Sequence, residues 1–212
     1  MHMRSAAAVV MVMALGTSPL RARAADADDV RAAMKHMDAL VAGGKWLDAL
    51  DDYYTLNDSE RNLARAMVEM DDAMQKFEKA VRGKFGDAGW DTVGPAVQAL
   101  PKGGYDAVNV KIAGDVATVT WIGATSPEFF KKIGGTWKMS IPDLMAYSMK
   151  AAGASAAQAR DLEPQVLEIS VDRVRRMSSG LVWLSLEVAA GKYPSAADAK
   201  TAADAVMNHK KP

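Results

Sequence analysis

The chain has 212 residues, 26 Lys+Arg against 26 Asp+Glu, and no cysteine. The lack of cysteine excludes a disulfide framework, cysteine-ligated zinc, iron–sulfur clusters and a thiol nucleophile. Balanced charge without a basic tract argues against a nucleic-acid partner, and a composition half hydrophobic and a quarter charged is that of a globular chain.

Residues 1–24 read as a secretory signal peptide. Arg4 precedes an apolar run from Ala6 to Leu15, Gly16 and Pro19 end it, and Ala22-Arg23-Ala24 supplies a cleavage site after Ala24. The run is too short to span a bilayer, and no later segment is apolar enough, so no membrane insertion is expected after signal removal. No twin arginine is present, which favours the general secretory route and a periplasmic or secreted destination. The remaining residues 25–212 are expected to form a single domain with net charge −3 and two histidines, His36 and His209. Without disulfides such a domain depends on its core, and a chain of this length can bury roughly 70% of its unfolded surface.

In chain order, residues 28–42 predict an amphipathic helix with Val30, Met34, Met37 and Val41 on one face, stopped by Gly43-Gly44. A short second helix is expected to carry Trp46, Leu47, Leu50 and Tyr54. Asn57 with Glu60 forms a capping box for a third helix. That helix is lined by Leu63, Met67, Met70, Met74, Phe77 and Val81 and is expected to end near Gly83 or Gly86. Residues 86–104 read as a Gly- and Pro-punctuated loop pinned to the core by Trp90.

The central segment predicts a β-hairpin. Gly114-Asp115 is a two-residue turn, and it fixes Ile112 opposite Ala117, Val110 opposite Val119 and Val108 opposite Trp121. Lys111 then meets Thr118, and Asn109 meets Thr120, so apolar pairs share one face and polar pairs the other. A further strand is expected over Thr136–Ile141, with Trp137, Met139 and Ile141 on the apolar side. Residues 126–133 read either as a helix start at Ser126-Pro127-Glu128 or as a strand before Gly134-Gly135.

Helices return over residues 142–209. Pro142-Asp143 opens one that closes near Gly153, and Ser155 with Gln158 caps another. Pro164 is expected to kink or restart that helix before it ends at Gly191. A last one begins at Pro194-Ser195 and buries Ala199, Ala203 and Val206. The order predicts an α+β fold. A short antiparallel sheet of three to four strands would be packed on one face by the N-terminal and C-terminal helices.

The stretches Val110-Lys111-Ile112-Ala113-Gly114-Asp115-Val116-Ala117-Thr118-Val119 and Phe130-Lys131-Lys132-Ile133-Gly134-Gly135-Thr136-Trp137-Lys138-Met139 resemble the sheet of the NTF2-like, cystatin-like α+β superfamily. The resemblance covers residues 105–141. It implies a pocket beneath the sheet in an exported member. Members of that superfamily include small-molecule isomerases, dehydratases and non-catalytic binding domains.

An isomerase-type site would place an ionisable side chain on the apolar sheet face, and the expected face offers none. No nucleophile elbow, P-loop or dinucleotide fingerprint is present. No catalytic residue is therefore assigned, and no cofactor is expected. Met34, His36 and Met37, with Met67, Met70 and Met74, have the soft character of a monovalent-copper site. At about 100° per residue, however, His36 points away from Met34, and the methionines occupy core positions. Asp48, Asp51, Asp52, Asp71 and Asp72 lack calcium-loop spacing and read as solvated helix faces, as do Arg173, Arg175 and Arg176. His209 suits a helix C-terminus.

These readings predict an exported, non-catalytic binding protein for a partner protein or an apolar small molecule. The candidate ligand contacts are Trp121 and Trp137 on the sheet face, with Tyr105 at the rim. The alternatives are an NTF2-like isomerase or dehydratase and a methionine-based copper handler.

Overall fold

The computed structural model describes residues 19–94, 104–122, 124 and 126–208. Residues 1–18 of the expected signal peptide, residues 95–103 of the expected loop, and His209 lie outside the described residues. Helix α1 spans Pro19–Ala42, so the expected cleavage point after Ala24 falls within its first turns. A 3₁₀ turn, Asp48–Asp52, leads into the two-residue strand β1, Tyr53–Tyr54. Helix α2 follows over Asp58–Val93, then a 3₁₀ turn at Gly104–Ala107. Strands β2 (Val108–Ala113), β3 (Val116–Trp121), β4 (Glu128–Ile133) and β5 (Thr136–Ser140) come next. The chain closes with α3 (Ile141–Ala151), α4 (Ala156–Ala189) and α5 (Ala196–Met207).

The fold is α+β, as the element order predicts, and the hairpin register is the expected one. Ile112 pairs with Ala117, Val110 with Val119, Val108 with Trp121, Lys111 with Thr118 and Asn109 with Thr120. The sheet departs from three to four antiparallel strands. It has five, in the order β1-β5-β4-β3-β2, and β1 joins β5 in parallel through Tyr53–Met139 and Tyr54–Ser140. Residues 128–133 form a strand rather than a helix because both edges of β4 find antiparallel partners. The helix expected around Trp46–Tyr54 is a 3₁₀ turn and a strand, since Tyr53 is drawn to the sheet edge. Ile141 opens α3 instead of ending β5, because the Ser140 hydroxyl caps the amide of Asp143.

Three buried clusters hold the molecule together. Val30 and Met34 of α1 pack on Val108, Ala117, Val119, Phe130 and Trp137 of the sheet. A second cluster joins Met37 and Val41 to Tyr53, Leu63, Val68, Ile141, Met145, Leu167 and Val171. A third is purely helical and joins Phe77, Val81, Trp90 and Val93 to Leu181, Leu184, Val188, Ala199 and Ala203. The sheet's apolar face is thus covered by α1, while the distal part of α4 and α5 pack on α2. Helix α3 reaches the other face, where the Tyr147 ring lies 5.4 Å from that of Phe129, tilted by 47°. The two longest helices run in the same direction. Leu63 shares its cluster with Leu167, the Ser178 hydroxyl bonds the Glu69 carbonyl, and Val93 shares its cluster with Val188.

Gly86 breaks α2 where the sequence places its end: its φ of 72° and ψ of −172° are non-helical, and a second helical segment runs on from it to Val93. The reward is burial of Trp90, 6.3 Å edge-on to Phe77, so Trp90 anchors a helix and not a loop. Helix α4, by contrast, runs unbroken through Pro164. The capping boxes at Asn57/Glu60 and Ser155/Gln158 are present as the sequence predicts.

Candidate functional site

Strand pairing assigns each side chain to a face. Glu128 lies opposite Val119, Val119 opposite Val110, and Phe130 opposite both Ala117 and Met139. Glu128 therefore stands on the apolar face, beside Trp121, whose indole Nε1 donates to Glu128 Oε1 at 2.8 Å. Tyr53, paired with Met139, enters the same face from the sheet edge and is 7% exposed.

Two helical carboxyls approach this corner. Asp38 comes from α1 and Asp71 from α2, and both keep part of their surface open to solvent. Burial raises Asp71 from 3.8 to about 7, with the charges of Asp38 and Glu128 adding to the rise. Burial alone carries Asp38 from 3.8 to about 6. Glu128 is also pushed up by burial; the Trp121 hydrogen bond opposes that shift and the Asp38 charge reinforces it. The Tyr53 phenol is held protonated by burial and then by the charges of Asp71, Glu128, Asp38 and Asp52. These groups sense one another's charge, so they form one cluster.

Asp52 borders the cluster. Its Oδ2 is buried without a hydrogen bond and lies 3.8 Å from His36 Nε2. Burial raises its pKa, while His36 and Lys138 pull it back. Among the described residues, no partner hydrogen-bonds the Tyr53 hydroxyl or the carboxyls of Asp38 and Asp71. The corner therefore holds acceptors and a phenol whose bonding capacity no described residue meets.

The residues expected to contact a ligand divide. Trp121 lines this corner, and the Tyr105 ring lies 5.7 Å from it, with the Tyr105 hydroxyl buried and unpartnered. Trp137 stands farther along the face, opposite Lys132, at 3% exposure in the α1–sheet core. Its Nε1 is also unpartnered, and Lys132 Nζ sits 5.5 Å over its ring.

The acids themselves were legible as a misfit. Asp38 falls four residues after Met34 and three before Val41, inside the apolar stripe. Asp71 stands in the same relation to Met67 and Met74. A carboxyl within a buried stripe marks a polar recess more than a solvated face.

The methionines of the copper motif separate. Met34 packs on the sheet, Met37 in the second cluster, and Met70 in the helical one. Among the described residues, no group of three His, Cys, Asp or Glu is placed to hold a metal ion. A cleft of about 550 Å³ opens elsewhere, between the start of α2, α3 and α4, lined by Leu56, Met145, Met149, Lys150, Ala159 and Glu163. Its walls are mostly apolar, and it holds none of the perturbed acids. Among the described residues, no helix is long and apolar enough to cross a membrane. Comparison with family models, with curated proteins and with solved structures finds no match for the chain.

Proposed function

We propose that this chain is an exported, non-catalytic binding protein that holds a small molecule in the recess between α1, α2 and the sheet. The observation that carries the reading is the corner where Glu128 bonds Trp121 on the apolar sheet face and where Asp38, Asp71 and Glu128 all act on the buried Tyr53 phenol. Carboxyls, a phenol and an indole grip a ligand by hydrogen bonds, and the Tyr105–Trp121 pair offers an apolar rim. An NTF2-like relationship agrees with this placement, because that resemblance implies a pocket beneath the sheet. Export is supported by the Ala6–Leu15 run and the Ala22-Arg23-Ala24 site. The polar lining favours a ligand with a polar end over the wholly apolar one that the sequence suggests.

A second reading, an enzyme of the isomerase type, is favoured by one observation. A carboxyl at about 7 has the proton affinity of a general acid or base at neutral pH.

Native mass spectrometry of the protein isolated gently from a secreting host tests both readings. A retained small molecule, lost in Tyr53→Phe or Asp71→Asn, supports binding. Its conversion to an isomer or dehydrated product supports catalysis. A bare chain with no ligand captured from periplasmic extract overturns both. The same spectrum reports the expected loss of residues 1–24.

A further inference from the structure

The outer side of α4 carries large apolar side chains that no described residue covers. Leu162, Ile169, Trp183 and Leu186 are between 44% and 66% exposed along this one helix. Their spacing is ordered. Leu162, Ile169, Arg176 and Trp183 fall on every seventh residue, and Gln165, Asp172, Ser179 and Leu186 repeat the interval three places on. Together they form the two tracks of a coiled-coil seam, and every member is exposed. A third track, Leu167, Val174, Leu181 and Val188, lies on the opposite side of the helix and packs into the buried clusters. The seam therefore points directly away from the body of the molecule.

The polar members of the seam select its occupant. Asp172 and Arg176 stand four apart on one helix, yet among the described residues neither makes a hydrogen bond or an ion pair. A shallow hollow of about 390 Å³ lies among Asp172, Arg175, Arg176 and Ser179, at the middle of the seam. Placing a second copy of α4 antiparallel to the first, with a two-fold axis at position 174, solves every layer at once. Leu162 meets Leu186 of the second copy, Gln165 meets Trp183, Ile169 meets Ser179, and Asp172 meets Arg176. The axis repeats each contact, so the centre holds two opposite-charge pairs and the ends are apolar. A parallel pair would instead set Asp172 on Asp172 and Arg176 on Arg176. Sliding the antiparallel pair by one heptad would set Asp172 against Ile169 or Trp183. Around the axis Arg173, Arg175 and Arg176 are matched by Asp172, Glu168 and Glu69, the last 3.8 Å from Arg175. The face is thus neutral and does not repel its own copy.

We propose that the exposed seam of α4 is a homodimer interface, crossed antiparallel by a second copy of this chain. At about 1.5 Å per residue the seam is about 36 Å long and one helix wide, which places it at the small end of specific interfaces. Association is accordingly reversible and concentration-dependent. It stands apart from the ligand-binding role and uses none of the same residues.

Sedimentation velocity tests it on the protein isolated from the secreting host, over about 1 to 300 μM, the range of a weak interface. The expected result is a shift from one chain to two across that range. Arg176→Asp makes the centre wholly acidic and Asp172→Arg makes it wholly basic, so each alone is expected to weaken dimerisation by about tenfold or more. An equimolar mixture of the two variants restores both charge pairs and is expected to dimerise, as is the chain carrying both substitutions. These side chains are exposed, so circular dichroism is expected to show every variant folded. A short thiol cross-linker reads the direction, cleanly because the chain has no cysteine of its own. Leu162→Cys and Leu186→Cys are expected to cross-link when mixed and not when alone.

Four outcomes overturn the inference. One is a single chain at every concentration, and another is a dimer that both charge variants leave intact. The third is Leu162→Cys cross-linking to itself, the mark of a parallel pair. The fourth is a monomer that instead sediments with phosphatidylglycerol vesicles, which gives the face to a bilayer.

Discussion

Replacing Asp71 with asparagine keeps the size of the side chain and removes its ability to ionise. In the native fold this carboxyl is raised from 3.8 to about 7, chiefly by burial. Each tenfold change in proton affinity is worth about 1.4 kcal/mol, so ionising Asp71 inside the fold costs about 4 kcal/mol when the pH is well above 7. Solvent reaches part of the side chain and screens part of that cost, which places the realised value at about 2–4 kcal/mol. The sign follows from linkage. Between 3.8 and about 7 the folded chain binds this proton and the unfolded chain does not, so stability falls as pH rises through that window. Asp71→Asn lacks this residue's share of the slope, while Asp38 and Glu128 keep theirs. Urea denaturation followed by tryptophan fluorescence, at one-unit steps across the window and beyond, measures the difference. The variant's advantage over the parent is expected to grow by about 2–3 kcal/mol between about pH 5 and pH 9. A difference that stays constant with pH, or that shrinks as pH rises, refutes the buried-carboxyl reasoning.

Glu60 is 1% exposed and accepts the amides of both Leu56 and Asn57, so Glu60→Ala strands two donors; urea titration is expected to show a loss of about 2–3 kcal/mol, with Glu60→Gln retaining most of it. A Cβ at Gly180 would lie 2.5 Å from Val206 Cγ1, so Gly180→Val is expected to lower stability by about 1–3 kcal/mol and to raise amide exchange in α5. Trp121→Phe removes the donor that stabilises ionised Glu128, and carbon-detected NMR titration is expected to find that carboxyl titrating at a still higher pH.

The hairpin was readable to the residue because a two-residue turn and a strict alternation allow one register. Both signals are local, and the structure obeys them. The parallel β1–β5 pair was not readable. Two residues carry no periodicity, and their partner lies more than eighty positions away. The break at Gly86 was legible because glycine takes a left-handed conformation freely, whereas the helical segment beyond it, which buries Trp90 and Val93 against α4 and α5, was read as loop. The recess was missed for a related reason. Asp38 and Asp71 interrupt the apolar stripes of their helices, a signal that was passed over, and Glu128 acquires a face only once residues 128–133 are known to be a strand. Of the aromatic contacts, Trp121 and Tyr105 adjoin that recess, whereas Trp137 is a core residue of the α1–sheet layer.

The parallel course of α2 and α4 has a kinetic consequence. Two helices pointing the same way cannot be joined by a tight turn, and here the return path is the whole excursion from Gly94 to Ser155, sheet and α3 included. The α2–α4 seam can therefore zip only after about 60 intervening residues have doubled back, a closure whose entropic cost precedes any reward from the contacts. The strand pairs within that excursion are close in sequence and face no such delay. By this argument the inserted hairpins are expected to form before the α2–α4 seam that encloses them.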